Sequence, residues 1–376
     1  RYENACIGLS KEQYPDVNNF INNDATKISW SRAIKKDLSR HVKHVFQGNS
    51  IRVSIYRPFT KTWMYFNRQF NEMVLQMPRI FPESTIDNRV ICVTGLGTQK
   101  VFSTIMSAAV ADFQLLANSQ CFPLKLYEPS TAAEDSAPQP DLFTPATTTA
   151  PTPATPRYTS RDGITDAGLA HFHATYPTET ISKEDVFYYI YGLLHSEDYK
   201  AKYADNLTKE LPRIPCVGQA ADFWAFSTAG RELAELHVNY ETQAKYPVTL
   251  DCGGKKLAEL HDKDFYVTKM KFASKADKST VIYNHAITMK GIPLEAYEYV
   301  VNGKPALEWV MERQGVSTHK DSGIVNDAND WAVETMKNAR YPLELFQRVI
   351  TVSLRTMAIV RGLPGLDVYG KGNMAQ

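Results

Sequence analysis

The sequence predicts an α+β fold in two subdomains: a basic, strand-rich first part, and a more helical second part with a mixed sheet. Three observations predict it. Segments of alternating polarity and segments of helical periodicity follow one another without the regular strand–helix alternation of a doubly wound sheet. A stretch dense in Pro, Thr and Ala, "EPSTAAEDSAPQPDLFTPATTTAPTPATPRYTS" (128–160), interrupts the chain. It has almost nothing to bury, so an extended, poorly ordered connector is expected there. Charge is also split: residues 1–127 hold 16 Lys and Arg against 9 Asp and Glu, and the remainder holds 26 against 32. The expected division is therefore 1–127, 128–160 and 161–376.

The elements follow in order. "SRAIKKDLSRHVKHVF" (31–46) places Ile34, Leu38, Val42 and Val45 or Phe46 at helical spacing, with Ser31 as the cap. "SIRVSIY" (50–56) alternates as a strand. "YRPFTKTWMYF" (56–66) does the same past Pro58, where Phe59, Lys61, Trp63 and Tyr65 share one parity. One strand face thus carries a cation among large aromatic rings. "RVICVTG" (89–95) reads as a strand ending at Gly95, and "FQLLANSQCFPLKLY" (113–127) adds short strand-like pieces. After the connector, "SKEDVFYYIYGLLHSEDYKAKYADNL" (182–207) opens with Ser182 and carries Glu184 and Asp185 in its first turn. Val186, Ile190, Leu193 and Leu194 form its apolar stripe. Strands are expected at "KDFYVTKMKFA" (263–273) and "STVIYNHAITM" (279–289), and short helices at "ALEWVMERQ" (306–314) and "DWAVETMKNA" (330–339). A longer helix is expected from Tyr341, with Pro342 near its start and Gly362 and Pro364 at its end.

With 376 residues, 43% hydrophobic and 22% charged, the composition is that of an ordinary globular protein with room for a large core. The net charge of +1 says nothing of a partner. Cys6, Cys92, Cys121, Cys216 and Cys252 are scattered and form no C-x-x-C pair, so neither a zinc site nor a disulfide framework is indicated. That suits a reducing compartment. No apolar run approaches the roughly 18 to 20 residues that span a bilayer, and no signal peptide is visible. Starting at Arg1, the chain reads as a fragment of something longer or as a trimmed product.

Charge is concentrated in 27–68, where Lys27, Arg32, Lys35, Lys36, Arg40, Lys43, Arg52, Arg57, Lys61 and Arg68 face only Asp37. Such a block is either a solvated basic surface or a continuous electropositive wall able to attract a polyanion. A second patch, "KMKFASKADKS" (269–279), sets Lys269, Lys271, Lys275 and Lys278 against Asp277 alone.

Catalytic motifs are missing. "TGLGTQK" (94–100) lacks the third glycine or the G-x-x-x-x-G-K-[ST] pattern of a nucleotide loop and reads as an ordinary turn, in which Lys100 remains a candidate phosphate contact. "HDKDF" (261–265) has no partner ligands for a metal. "DSGIVNDANDW" (321–331) lacks the offsets of a calcium loop and reads as a turn followed by helix capping from Asn329 or Asp330. There is no G-x-S-x-G and no H-E-x-x-H. Tyr188, Tyr191, His195 and Tyr199 lie on one helical face, which reads as packed core before it reads as a base-stacking platform.

Several blocks in order, "YRPFTKTWMYF", "FPLKLY", "DVFYYIYGLLHSEDYKAKYADNLTKELPRIP", "YVVNGKPALEWVMERQ", "SGIVNDANDW" and "VITVSLRTMAIV", resemble the C-terminal specificity region of Type ISP restriction–modification enzymes. The resemblance covers nearly the whole chain apart from the connector. It implies sequence-specific binding of double-stranded DNA as a target recognition domain, in the bacterial cytoplasm and away from membranes. Methyltransferase and helicase or nuclease modules of the same polypeptide would then be partners. This chain would need no cofactor and would not be an enzyme, whereas the parent would use ATP, Mg and S-adenosylmethionine. Phosphate contacts are expected from Arg32, Lys35, Lys36, Arg52, Arg57, Lys61, Arg68, Lys100, Lys269, Lys271, Lys275 and Lys278, with Trp63 packing on sugars or bases. The alternative is a protein–protein scaffold that docks on a methyltransferase or helicase module without reading sequence, through the Tyr188–Tyr199 face and the C-terminal helix.

Overall fold

The computed structural model describes residues 2–10, 16–22, 24, 30–130 and 157–369; Lys27 and most of the Pro/Thr-rich stretch lie outside them. The architecture is α+β, with small sheets interleaved with helices.

Helices α1 (Tyr2–Leu9) and α2 (Arg32–Ser39) close on a small cluster of Tyr2, Ala5, Leu9, Ile34 and Leu38. Ser31 caps α2 by accepting from the Ile34 N–H. The helix ends at Ser39, short of the expected Phe46. Val42 and Val45 are β-branched and propagate a helix weakly. His41 instead turns left-handed at φ 57, and the Val42 N–H returns to the Asp37 carbonyl at 3.0 Å.

Strands β1 (Ile51–Arg57) and β2 (Thr60–Tyr65) form an antiparallel hairpin whose register shifts between Ile55 and Arg57. Phe59 in its turn sits at φ 57 and is fully buried, edge-on to Tyr240 and Tyr299. After a short α3 (Met77–Ile80) come β3 (Val90–Val93), β4 (Thr104–Ser107), β5 (Val110–Ala111) and β6 (Gln120–Pro123). β5 runs parallel to β1, and β3 lies between β4 and β6. Every residue of β3 and β4 is buried. That explains the unbroken apolar run of "VICV", since a strand covered on both faces has no reason to alternate.

β7 (Lys125–Pro129) pairs antiparallel with β8 (Tyr158–Asp162). The connector expected over 128–160 is therefore drawn too wide, because Glu128, Pro129 and 158–160 belong to this ladder. Cross-strand partners secure it: Lys125 Nζ lies 2.5 Å from Asp162 Oδ1.

Beyond it lie α4 (Asp166–Thr175), α5 (Lys183–His195), α6 (Glu197–Lys202), α7 (Ala204–Leu207) and α8 (Ala220–Val238). The single helical stretch expected over 182–207 is thus three helices. Ser196 breaks it at ψ 128 and caps α6 through the Tyr199 N–H. α5 and α8 touch backbone to backbone where glycine permits. A Cβ on Gly192 would stand 2.1 Å from the Phe226 carbonyl oxygen, and one on Gly230 would stand 1.9 Å from that of Tyr188.

β9 (Thr249–Asp251), β10 (Lys271–Phe272), β11 (Val281–Ile282) and β12 (Thr288–Lys290) form a sheet in the order β10-β11-β12-β9. The strands expected over 263–273 and 279–289 are much shorter here, and Asp262–Phe265 is a 3₁₀ turn. β13 (Val300–Val301) and β14 (Lys304–Pro305) turn at Asn302 and Gly303, both with positive φ. α9 (Ala306–Arg313) leads into a hairpin of β15 (Val316–Thr318) and β16 (Val325–Asp327). Asp327, rather than Asn329 or Asp330, caps the following α10 (Ala328–Asp330). A π turn over Trp331–Thr335 stands where an α-helix is expected. α11 (Tyr341–Arg361) matches expectation, with Pro342 in its first turn.

Two main cores cross the connector. One joins Ile55, Phe59 and Ile105 to Tyr240, Phe265, Val310 and Phe346, and the other joins Ile91, Val93 and Met106 to α5 and α8. The basic first part is packed directly on the second. Among the described residues no helix is long and apolar enough to cross a membrane.

Candidate nucleic-acid interface

The β1–β2 hairpin, which interleaves Arg52, Arg57 and Lys61 with Tyr56, Phe59, Trp63 and Tyr65, turns much of that set inward. Lys61 Nζ pairs with Glu241 Oε2 and lies 5.2 Å from the centre of the Tyr240 ring. The carboxylate is held on its other oxygen by the Tyr341 hydroxyl at 2.6 Å. Trp63 tilts on Trp331, with centroids 5.8 Å apart, and donates from Nε1 to Thr335 Oγ1 at 2.9 Å. Tyr65 stacks on Phe46. The face predicted from strand parity exists, but 240–241 and 331–335 cover much of it, leaving Trp63 53% exposed.

Neighbouring arginines are engaged in the same way. Arg57 Nη1 lies 2.9 Å from Asp112 Oδ1 and 2.6 Å from the Tyr56 carbonyl. Arg52 donates to the carbonyls of Phe81 and Pro82, the latter at 2.6 Å. Burial pushes its guanidinium pKa down, against smaller opposing effects from Tyr158 and Glu83. Lys278 donates to Glu308 Oε1 at 2.8 Å. The continuous electropositive wall is therefore broken in its middle. Arg52, Arg57 and Lys61 are spent on the protein's own carbonyls and carboxylates, because burial leaves a charge tolerable only when paired.

Other cations on the expected set are free. Arg32, Lys36, Arg68, Lys100, Lys269, Lys271 and Lys275 are exposed and have no ion pair among the described residues. Lys35 is half-buried, its Nζ 3.5 Å from Asn18 Oδ1. Lys269, Lys271 and Lys275 lie close in sequence, across β10 and the loop that follows it.

Beside that loop stands a feature that sequence reasoning passed over, the β15–β16 hairpin. Ser317–Asp321 and Gly323–Asn326 are exposed. Its root is fastened by Val316 N–H to the Thr268 carbonyl at 2.8 Å and by the Tyr266 hydroxyl to Asp327 Oδ2 at 2.8 Å. Only the quoted block "SGIVNDANDW" marks it in the sequence, since three-residue strands carry no period to detect.

The Tyr188, Tyr191, His195 and Tyr199 face is buried. Tyr191 Oη is 2.5 Å from His237 Nδ1, and His237 Nε2 is 3.0 Å from Thr356 Oγ1 on α11. Burial drives both His195 and His237 below the ordinary histidine range, His237 to about 3. This face and much of α11 form core, which removes the surface on which the scaffold alternative rests. "TGLGTQK" is a turn, with Gly97 at φ 73. All five cysteines are free. No group of three or more His, Cys, Asp or Glu among the described residues is placed to hold a metal.

Comparison with known proteins agrees across the chain. The model of the Type ISP C-terminal specificity domain matches residues 5–345. A nuclease-deletion mutant of the Type ISP restriction–modification enzyme LlaGI, solved in complex with a DNA substrate mimic, is 31% identical with a TM-score of 0.75, over 98% of this chain and 26% of that one. The ATP-dependent Type ISP enzyme LlaBIII bound to DNA is 31% identical with a TM-score of 0.79, over 98% and 22%. A DrdV–DNA complex is 31% identical with a TM-score of 0.72, over 93% and 31%. The chain spans between about a fifth and a third of those polypeptides. No curated relative matches.

Proposed function

This chain belongs to the Type ISP C-terminal specificity domain family, and on that premise we propose that it is the DNA target recognition domain of a restriction–modification enzyme. It docks on duplex DNA and selects the sequence at which methyltransferase and translocase or nuclease modules act. The observation that carries this reading is the likeness over 98% of the chain to two Type ISP enzymes solved with DNA or a DNA mimic. A specificity domain need not be catalytic. The chain lacks the recognised nucleophile, nucleotide-loop and zinc-protease motifs, so we assign it no reaction and no cofactor. ATP, Mg and S-adenosylmethionine belong to the modules it serves, in the bacterial cytoplasm.

The phosphate contacts fall to the free cations Arg32, Lys36, Arg68, Lys100, Lys269, Lys271 and Lys275. Binding of the chain to short duplexes, followed by fluorescence anisotropy over a salt series, tests the reading. Affinity should fall linearly on a log–log plot as counterions are released. Incubation with DNA and Mg should leave the DNA intact. A flat salt response contradicts DNA docking, and cleavage contradicts a purely selective role.

A different observation favours a second role alongside the first. Val45, Phe46, Met73 and Leu75 are exposed near the α1–α2 cluster. An apolar rim of this kind suits docking against a neighbouring module.

A further inference from the structure

The free lysines account for affinity but carry no sequence information, because phosphate contacts position while base contacts specify. The reading element must present unpaired donors and acceptors to solvent on a rigid support. The β15–β16 hairpin meets both conditions. It is a two-stranded sheet, register Val316↔Asp327, Ser317↔Asn326 and Thr318↔Val325, joined to no third strand among the described residues. Its support is stiff. Besides the bonds already described, the Ala328 N–H reaches the Gly315 carbonyl at 3.1 Å. Asn329 exchanges two hydrogen bonds with the Val267 backbone, at 2.9 and 3.0 Å. Gly315 sits so close to the next segment that a Cβ would lie 2.6 Å from the Thr268 carbonyl oxygen. The tip is ordered as well: the His319 N–H donates to the Ile324 carbonyl, and the Gly323 N–H donates to that of His319, both at 2.8 Å.

The exposed polar side chains are the reverse of this. Ser317, Thr318 and Asn326 make no side-chain hydrogen bond among the described residues. Beside the ribbon a cleft of about 280 Å³ is lined by Ser317 and Asn326 together with Thr60, Thr62, Gln314 and Trp331. Gln314 is only 3% exposed, yet its Oε1 has no hydrogen-bond partner. An unmet acceptor this deep costs free energy unless something meets it. A second cleft of about 380 Å³ is lined by Ser317, Lys269 and Phe272 with Glu308 and Glu312. Glu308 is paired with Lys278, and Glu312 with Lys304 and Arg313, which leaves Lys269 as the uncompensated charge.

The two clefts differ in chemistry. The second offers a cation to a phosphate. The first holds Asp327 and Asp330 beside the amides, and its two cations are already taken, Lys61 by Glu241 and Arg313 by Glu312. It suits the exocyclic amino group of a base rather than a phosphate. An exposed two-stranded ribbon with open clefts beside it has the shape that fits the major groove, about 12 Å wide.

We infer, building on the target-recognition reading, that the β15–β16 ribbon enters the major groove and that Asn326, with Ser317 beside it, reads a base pair through its exocyclic amine. An Asn amide pairs bidentately with adenine N6 and N7, so adenine is the base assigned to it.

The test is selection from a randomised duplex pool by the chain and three variants. The parent should enrich a defined site. Asn326→Ala with Ser317→Ala should lose about 5- to 100-fold discrimination at one or two positions while keeping nonspecific affinity and salt slope. Asn326→Asp, nearly isosteric, should move the preference at that position from adenine to cytosine, whose N4 amine a carboxylate accepts. Lys269→Ala should weaken all sequences alike. Each variant's melting curve should match the parent's, since the substituted atoms are exposed. If the variants enrich the parent's site with undiminished discrimination, the ribbon is not the reader while DNA recognition stands. If the parent binds no duplex at all, the target-recognition reading fails and the ribbon assignment with it.

Discussion

Two regions of this molecule are rich in lysine and arginine, and they use those charges in opposite ways. In the β1–β2 hairpin Arg52, Arg57 and Lys61 are held by carbonyls and by Asp112 and Glu241, half or more out of solvent. Around β10, Lys269, Lys271 and Lys275 are exposed and free of ion pairs among the described residues. The first region is the poorer in available charge. A local count of cations measures potential only when no carboxylate arrives from elsewhere. Here the carboxylates come from 55 and 180 residues downstream. Charge spent on the fold and charge left open to solvent are separate populations, and substitution should tell them apart.

Acid should have the largest effect, and only on the buried population. His237 stacks on Tyr299, which packs edge-on to Phe59 of the hairpin turn, so it belongs to the interior that the hairpin helps close. His195 and His237 are both depressed by burial, His237 to about 3. A base with a depressed folded-state pKa binds its proton more readily when unfolded. Its contribution to stability is complete above the unfolded value, about 6.5, and is lost as pH falls from there toward about 3. Denaturant midpoints should therefore decline steadily below pH 6.5, with about 2 to 5 kcal/mol lost by pH 4. His237→Gln, which keeps polar contacts without titrating, should flatten that decline. A profile unchanged in the variant would exclude His237 as a source of the acid sensitivity.

Breaking the Lys61–Glu241 pair comes next. Lys61→Met keeps the aliphatic stem over Tyr240 but leaves Glu241 and its hydrogen bond to Tyr341 without a counter-charge. A loss of about 2 to 4 kcal/mol in urea unfolding is expected, at the lower side of buried pairs because some solvent reaches the site. Arg52→Ala should follow, at about 1 to 3 kcal/mol, because two carbonyls lose their donor. Lys269, Lys271 and Lys275→Ala together should move stability by no more than about 0.5 kcal/mol. A large stability loss from that triple would erase the distinction between the two regions.

Much of the fold is legible in the residues themselves. α5 is marked by Ser182 and Asp185, which do form a reciprocal capping box. α11 is marked by Pro342 and Gly362, and β3 by its apolar run. What is hidden has physical reasons. α8 has no side-chain cap and carries Gly230 in its middle, which lowers its apparent propensity while enabling the close approach to α5. β10, β11, β15 and β16 have two or three residues each and are defined by their partners rather than by any period. The site divides the same way. Exposed Arg68 and Lys269 lie on the expected set and remain free. The pairing of Arg57 and Lys61 depends on distant acids, and the ribbon residues Ser317 and Asn326 bear no charge to draw notice.

The two populations of charge separate most sharply in the slope of log affinity against log salt for duplex DNA, compared between Lys61→Met and the Lys269, Lys271, Lys275→Ala triple. A parent-like slope is expected in the first and, in the second, a slope shallower by about one unit for each lysine that contacts a phosphate. Equal slopes in both variants, or a parent whose affinity ignores salt, would contradict that separation.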